Sequence, residues 1–279
     1  LSKGKDVEMK EGTNIFDLSG KVALVTGGSS GLGRVFCEAL AEFGADVSLT
    51  YNVDEKGARE TAELIKNLGR QSLVIKANVN NPDVVQHMVD ETVAKLGSID
   101  ILVNNAGINA KPAKIAEMAI EDWDKVLSID LRGVFLCTRA VLPVMVKQKR
   151  GSIINIASIK GIRAFFELTE ILPLAHYSAA KAGVISLTKE TAVEYSRDGI
   201  RVNCIAPGWH RGTRLSRQWR EEAWQEEQRQ KYEDAISRIT PMGRRGEISE
   251  LKGLVVYLAS DASSFMTGQV LASDGGICT

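Results

Sequence analysis

Between Lys21 and Ala272 the chain alternates short apolar runs with segments of helical periodicity, and this alternation restricts its fold more than any other feature. The runs are Val22–Thr26, Val47–Tyr51, Ser72–Lys76, Ile101–Asn104, Ser152–Ile156, Val202–Ile205 and Gln269–Leu271. They are rich in β-branched residues and lack polar–apolar alternation, which is how parallel strands buried on both faces read. After the first run, Leu32, Val35, Phe36, Leu40 and Phe43 recur at helical spacing, with Gly44 as a stop. Comparable helices are expected at 55–68, 81–96, 121–149, 175–197 and 247–259. Strand–helix–strand repeated this way needs right-handed crossovers, and hence a doubly wound α/β sheet. Residues 1–14 read as a flexible tail and 15–279 as a single domain.

Composition removes several function classes. The 279 residues carry 35 Lys+Arg against 35 Asp+Glu, without the basic excess that nucleic-acid binding requires. No apolar stretch reaches the roughly 20 residues of a membrane span, and residues 1–20 are too charged for a secretory signal. Cys37, Cys137, Cys204 and Cys278 are scattered without metal-ligand spacing. They read as reduced thiols of a cytoplasmic protein, with no metal expected.

Directly after the first run, Thr26-Gly27-Gly28-Ser29-Ser30-Gly31-Leu32-Gly33 opens into the first helix. Glycines there allow a tight turn and close approach to a pyrophosphate, and the helix start attracts its charge. Gly27, Ser29, Ser30, Gly31, Leu32 and Gly33 are therefore candidate dinucleotide contacts. The position that selects between cofactors, at the end of the second strand, falls on Tyr51 and Asn52. Neither an acid for the ribose of NAD nor an arginine for the phosphate of NADP stands there, although Asp54 is close. The absence of an acid tilts the reading toward NADP, with NAD the alternative.

Tyr177-Ser178-Ala179-Ala180-Lys181 places a phenol and an ammonium four residues apart on one helix face. An adjacent ammonium favours the phenolate and makes a tyrosine usable as an acid–base group. Ser158 follows the fifth run, Asn104-Asn105-Ala106-Gly107 ends the fourth, and Pro207-Gly208 ends the sixth. All three fall at the carboxyl edge, where ligands of open α/β sheets bind.

With these motifs and the closing Asp274-Gly275-Gly276, the chain resembles a single-domain member of the short-chain dehydrogenase/reductase family over roughly residues 16–276. The resemblance implies a Rossmann-like, three-layer α/β/α fold whose seven-stranded parallel sheet has the order 3-2-1-4-5-6-7. It also implies a homotetramer or homodimer joined through the helices at 121–149 and 175–197. By the same resemblance Tyr177 exchanges a proton with the substrate oxygen and Ser158 hydrogen-bonds that oxygen. Lys181 binds the nicotinamide ribose and lowers the tyrosine pKa. Asn105, Ala106 and Gly107 would line the adenosine side, Asn78 and Val79 would stand against adenine, and Pro207, Gly208 and His210 would complete the cofactor contacts.

Asp130 departs from the pattern, since the family usually has Asn there, holding a water that relays protons to the lysine. An ionised Asp has no donor and adds negative charge. It could stabilise the Lys181 ammonium, cancel part of its effect on Tyr177, or face away; the sequence leaves all three open.

Two stretches are expected to shape the substrate site. Ser158 and Tyr177 are separated by more residues than the family commonly shows, the excess lying within 163–173. Residues 213–240 carry dense charge interleaved with Trp219, Trp224 and Tyr232, so that 209–240 reads either as a solvated helix or as a lid. Trp209, Arg211, Lys160 and His176 are candidate substrate contacts. The leading function is hydride transfer between a nicotinamide cofactor and a secondary alcohol or ketone of a sugar, sugar acid or polyol. The alternative is a 3-oxoacyl-thioester reductase, for which Lys147, Lys149, Arg150, Arg244 and Arg245 would supply a basic patch for an acyl carrier. A catalytically silent dinucleotide-binding protein is a third reading, opposed by the intact Ser158, Tyr177 and Lys181.

Overall fold

The computed structural model describes residues 14–168, 172–213 and 225–279. Almost all of the expected tail, together with Trp219 and Trp224, lies outside these residues. Strands β1 (Val22–Val25), β2 (Asp46–Tyr51), β3 (Ser72–Lys76), β4 (Ile101–Asn104), β5 (Gly151–Ile156), β6 (Ile200–Pro207) and β9 (Val270–Ser273) form one seven-stranded sheet. Its order is β3-β2-β1-β4-β5-β6-β9, with every pair parallel. A separate two-residue ribbon pairs β7 (His210–Arg211) with β8 (Gly246–Glu247).

Successive strand residues point to opposite faces, and both faces are covered. On one, Ala23, Val25, Val103 and Ile154 meet α1 (Gly31–Glu42), α2 (Glu55–Asn67) and the C-terminal helix α8 (Lys252–Ala259). On the other, Leu24, Leu102 and Ile153 meet α3 (Pro82–Leu96), α5 (Gly133–Gln148) and the end of α6 (Ala175–Tyr195). This double burial is why the strands read as unbroken apolar runs. Strand order reverses between β1 and β4, and the connections leaving them diverge into a crevice at the carboxyl edge.

The helix expected over 121–149 is two helices, α4 (Ile120–Leu127) and α5, joined by a π turn at Ser128–Arg132. Such wide turns admit one extra residue and reorient the side chains around it; Asp130, at its centre, is fully buried. The helix expected at 247–259 starts with a tighter 3-10 turn at Ile248–Leu251.

Within the charged segment, α7 (Glu226–Ile239) buries Tyr232, Ala235 and Ile236. These pack with Ile159, Phe165, Leu168 and Ile277 in a satellite core of their own. The described part of this segment is thus a helix fastened to the loop that follows Ser158, with its charges on the outer side.

Candidate active site

The glycine loop after β1 is shaped by contacts that only glycine permits. Gly27 and Gly31 adopt φ of +69° and +54°. A Cβ on Gly33 would overlap the Gly27 carbonyl oxygen and lie 2.6 Å from Asn105 Nδ2. Asn105 Nδ2 donates to the carbonyls of Thr26 (2.9 Å) and Gly27 (3.1 Å), stapling this loop to the exit of β4. The Thr26 hydroxyl oxygen accepts the Asn105 and Ala106 amides, each at 3.0 Å. Helix α1 starts without a side-chain cap on Ser30, which leaves its first-turn amides to face the loop. A tight glycine turn, close backbone approach and uncapped amides fit the pyrophosphate of a dinucleotide.

Further along the crevice, Tyr51 ends β2 buried, its hydroxyl bonded to Glu55, while Asn52 and Asn78 are exposed. Asp54 accepts the Gly57 amide at 3.0 Å as the cap of α2. Val79 packs beneath, where a Cβ on Gly133 would come within 2.8 Å of it.

At the ends of β4 and β5 the expected catalytic residues converge. Ser158 follows β5, and Tyr177 and Lys181 lie in the first turns of α6. The Ser158 and Tyr177 side chains are hydrogen-bonded, and Lys181 Nζ lies 5.4 Å from the centre of the Tyr177 ring. Lys181 Nζ donates to the Ile156 carbonyl at 3.0 Å and sits 3.2 Å from Asp130 Oδ2. Asp130 Oδ1 accepts the Ile108 amide at 2.8 Å. Its Oδ2 is paired with the Lys181 ammonium. The carboxylate fits because Gly107 has no side chain; a Cβ there would stand 2.9 Å from Oδ2.

Asp130 therefore faces the lysine, which removes the last of the three readings open to it. Burial works against the Lys181 ammonium, but the Asp130 carboxylate and Tyr177 outweigh it and hold its pKa above the ordinary value. Burial raises the Asp130 carboxyl against the pull of Lys181. Burial likewise raises the Tyr177 phenol; Lys181 lowers it, Asp130 raises it again, and the net shift is upward.

Around this centre, the expected substrate residues occupy different settings. The Lys160 amide donates to Ser158 Oγ at 3.2 Å, and its Nζ reaches the Leu172 carbonyl at 3.4 Å. Burial pulls the Lys160 ammonium down to about 8. His176 is fully buried behind the tyrosine, its Nδ1 accepting the Tyr177 amide at 2.7 Å, and burial lowers its pKa. Trp209 packs edge-on against Phe165, ring centres 4.9 Å apart. His210, 4% exposed, lies in the β7–β8 ribbon with Nδ1 3.2 Å from the Gly208 carbonyl. Arg211 is 3.8 Å from Glu233 on α7. Glu233 also pairs at 2.7 Å with Arg245, which donates to the His210 carbonyl at 2.8 Å. Trp209, His210 and Arg211 thus fasten the loop and α7 together. Gly208 closes β6 against β9, donating to the Ser273 carbonyl at 2.9 Å, and a Cβ on it would meet Asp274 at 2.7 Å.

The basic patch proposed for an acyl carrier does not assemble from its five cations. Lys147, Lys149 and Arg150 precede β5, at the sheet edge opposite Ser158, and Arg150 pairs with Asp100 at 2.9 Å. Arg244 pairs with Glu250 at 2.7 Å, and Arg245 is buried in its pair with Glu233. Sequence reasoning also passed over a buried polar chain below the site. Asn104 Nδ2 donates to Thr138 (3.0 Å) and to Asn155 Oδ1 (2.9 Å), and Asn155 Nδ2 donates to Thr188 at 2.9 Å. It ties α5 to α6 through the strand ends. The available signal was an amide inside each of two otherwise apolar strands.

Comparison with known proteins agrees with this geometry. Residues 27–278 match the family model described as Enoyl-(Acyl carrier protein) reductase. The chain is 38% identical over 260 residues to the 3-oxoacyl-[acyl-carrier-protein] reductase FabG of Thermotoga maritima, covering 93% of this chain and 98% of that protein. A short-chain type dehydrogenase/reductase from Mycobacterium marinum superposes with a TM-score of 0.86 at 37% identity, covering 94% of this chain and 97% of that one. Levodione reductase gives 0.85 at 36% identity, covering 93% and 98%. With the sheet order, glycine loop and Ser–Tyr–Lys cluster, these matches establish that the chain belongs to the short-chain dehydrogenase/reductase family, NAD(P)-dependent oxidoreductases acting on CH–OH and ketone groups.

Proposed function

We propose that the chain interconverts a small hydroxy acid and its ketone, with Tyr177 as the acid–base group, and that Lys160 holds the substrate carboxylate. The observation that carries the substrate class is the Lys160 ammonium: half-buried, next to Ser158, and paired with no carboxylate among the described residues. The bound nicotinamide cofactor supplies or accepts the hydride. Ser158 hydrogen-bonds the substrate oxygen, Tyr177 exchanges a proton with it, and Lys181 binds the ribose. Gly27 to Gly33, with Asn105, Ala106 and Gly107, hold the rest of the dinucleotide. β2 ends on Tyr51, followed by Asn52, and the lack of a carboxylate at these two positions supports NADP over NAD. NADH binding tighter than NADPH in parallel fluorescence titrations would reverse that choice.

Sugar acids, with their carboxylate and hydroxyls, remain the favoured class, although their support passes from the Trp209–Arg211 rim to Lys160. A second reading, reduction of a 3-oxoacyl thioester, is favoured by the named activity of relatives such as the Thermotoga maritima protein. A panel of sugar acids, neutral polyols and a short 3-oxoacyl thioester separates the two. The proposal expects turnover of the acids, and Lys160→Met should raise their KM about tenfold with kcat little changed. Equal KM values in both proteins, or turnover of the thioester alone, would remove the hydroxy-acid reading. We also place the protein in the cytoplasm as an oligomer. Among the described residues no helix is long and apolar enough to cross a membrane, and Leu127, Leu131, Phe135 and Leu187 line an apolar groove on the outer face of the helices assigned to assembly.

A further inference from the structure

We propose that Asp130 is a positioning residue whose carboxylate makes a fixed, electrically neutral pair with Lys181, keeping the Tyr177 phenol protonated and biasing the site toward ketone reduction. This rests on the assignment of Tyr177 as the acid–base group. A lone Lys181 ammonium would present a full positive charge to the phenol and stabilise its phenolate. Paired with a carboxylate at 3.2 Å, it presents less net charge, and part of that stabilisation is cancelled. An amide in the same place would leave the lysine charge unopposed.

The arrangement is rigid. Asp130 has no solvent exposure, so water does not screen the pair, and its Oδ1 is held by the Ile108 amide. The Gly107 backbone on one side and the π turn on the other leave the carboxylate little room to swing away. The titratable groups around the pair come from three elements. On α6 they are Lys181, Tyr177 and His176, the last buried and disfavoured as a cation; on β6, Cys204 is held as a thiol by burial. Asp122 on α4 acts on His176, and the β4 exit loop contributes the uncharged Ile108 amide. Lys181 is thus the charged partner that Asp130 meets directly among the described residues. In reduction, the phenol O–H bond breaks and an O–H bond forms on the substrate oxygen, while hydride from the reduced nicotinamide cofactor reaches the carbonyl carbon. A phenol that stays protonated favours this direction.

The test needs neither substrate nor cofactor. Ultraviolet difference titration of the protein against Tyr177→Phe isolates one phenol among the five tyrosines. Its midpoint should lie above that of free tyrosine, and a midpoint at or below it overturns the proposal. Repeated in Asp130→Asn, and in Asp130→Ser should the first variant not fold, the midpoint should fall by about one pH unit or more, as expected for removal of a neighbouring charge. An unchanged midpoint also overturns it. With a working substrate, the acid limb of alcohol oxidation should move down in Asp130→Asn by the same amount. A merely structural role would lower the rate at every pH and leave the limb in place. Should no ketone be turned over while the titration shifts as expected, the substrate assignment fails and this one stands.

Discussion

Tyr177 shares a hydrogen bond with Ser158 and a helix face with Lys181, so its hydroxyl can be removed without disturbing the surrounding fold. Tyr177→Phe should lower turnover by about 10²-fold or more while cofactor affinity, read by fluorescence titration, stays almost unchanged. Unchanged turnover would refute the acid–base role. Gly33→Ala tests the opposite kind of residue, one whose lack of a side chain is its contribution. Its Cβ would overlap the Gly27 carbonyl and the Asn105 amide, so the loop must open and cofactor binding should weaken at least about tenfold. Both positions were legible in the sequence because motif spacing defines them. Asp130 was legible only as a departure. Whether it faced Lys181 depended on a π turn that periodicity, blind to one extra residue per turn, reads as plain helix.

At the scale of elements, α7 is the part whose role periodicity left undecided. Its charge reads as a solvated surface, yet Tyr232 and Ile236 are fastened to Phe165 and Leu168 of the loop after Ser158, and Glu233 links Arg211 to Arg245. Tyr232→Ala removes the largest side chain of that satellite core, a change that costs about 3–5 kcal/mol at well-packed sites. The loss should be local. Hydrogen exchange should accelerate over 226–239 and 159–168, while β1, β4 and β5 keep their protection. Equal loss of protection in the central sheet would mean that α7 is integral to the main fold. The rim residues Trp209, His210 and Arg211 show the same limit of sequence reading. Their chemistry suits a ligand, and the structure adds packing and pairing that the sequence does not show, because Phe165, Glu233, Arg245 and Gly246 are distant in the chain.

For the molecule as a whole, the apolar groove formed by Leu127, Leu131, Phe135 and Leu187 lies on the outer surface, with Phe135 47% exposed. Phe135→Asp should shift gel-filtration elution toward the monomer, and a native protein that already elutes as a monomer would overturn the proposed assembly. The sequence by itself determined the doubly wound sheet, the glycine loop and the Ser158–Tyr177–Lys181 cluster. Strand burial on both faces, glycine geometry and helical spacing are local properties written in consecutive residues. Tertiary structure alone decided that Asp130 faces Lys181, how the rim residues are packed and paired, and that the five basic residues do not form one patch. Each depends on charges and rings brought together from remote segments, where distance and burial, rather than residue type, set the outcome.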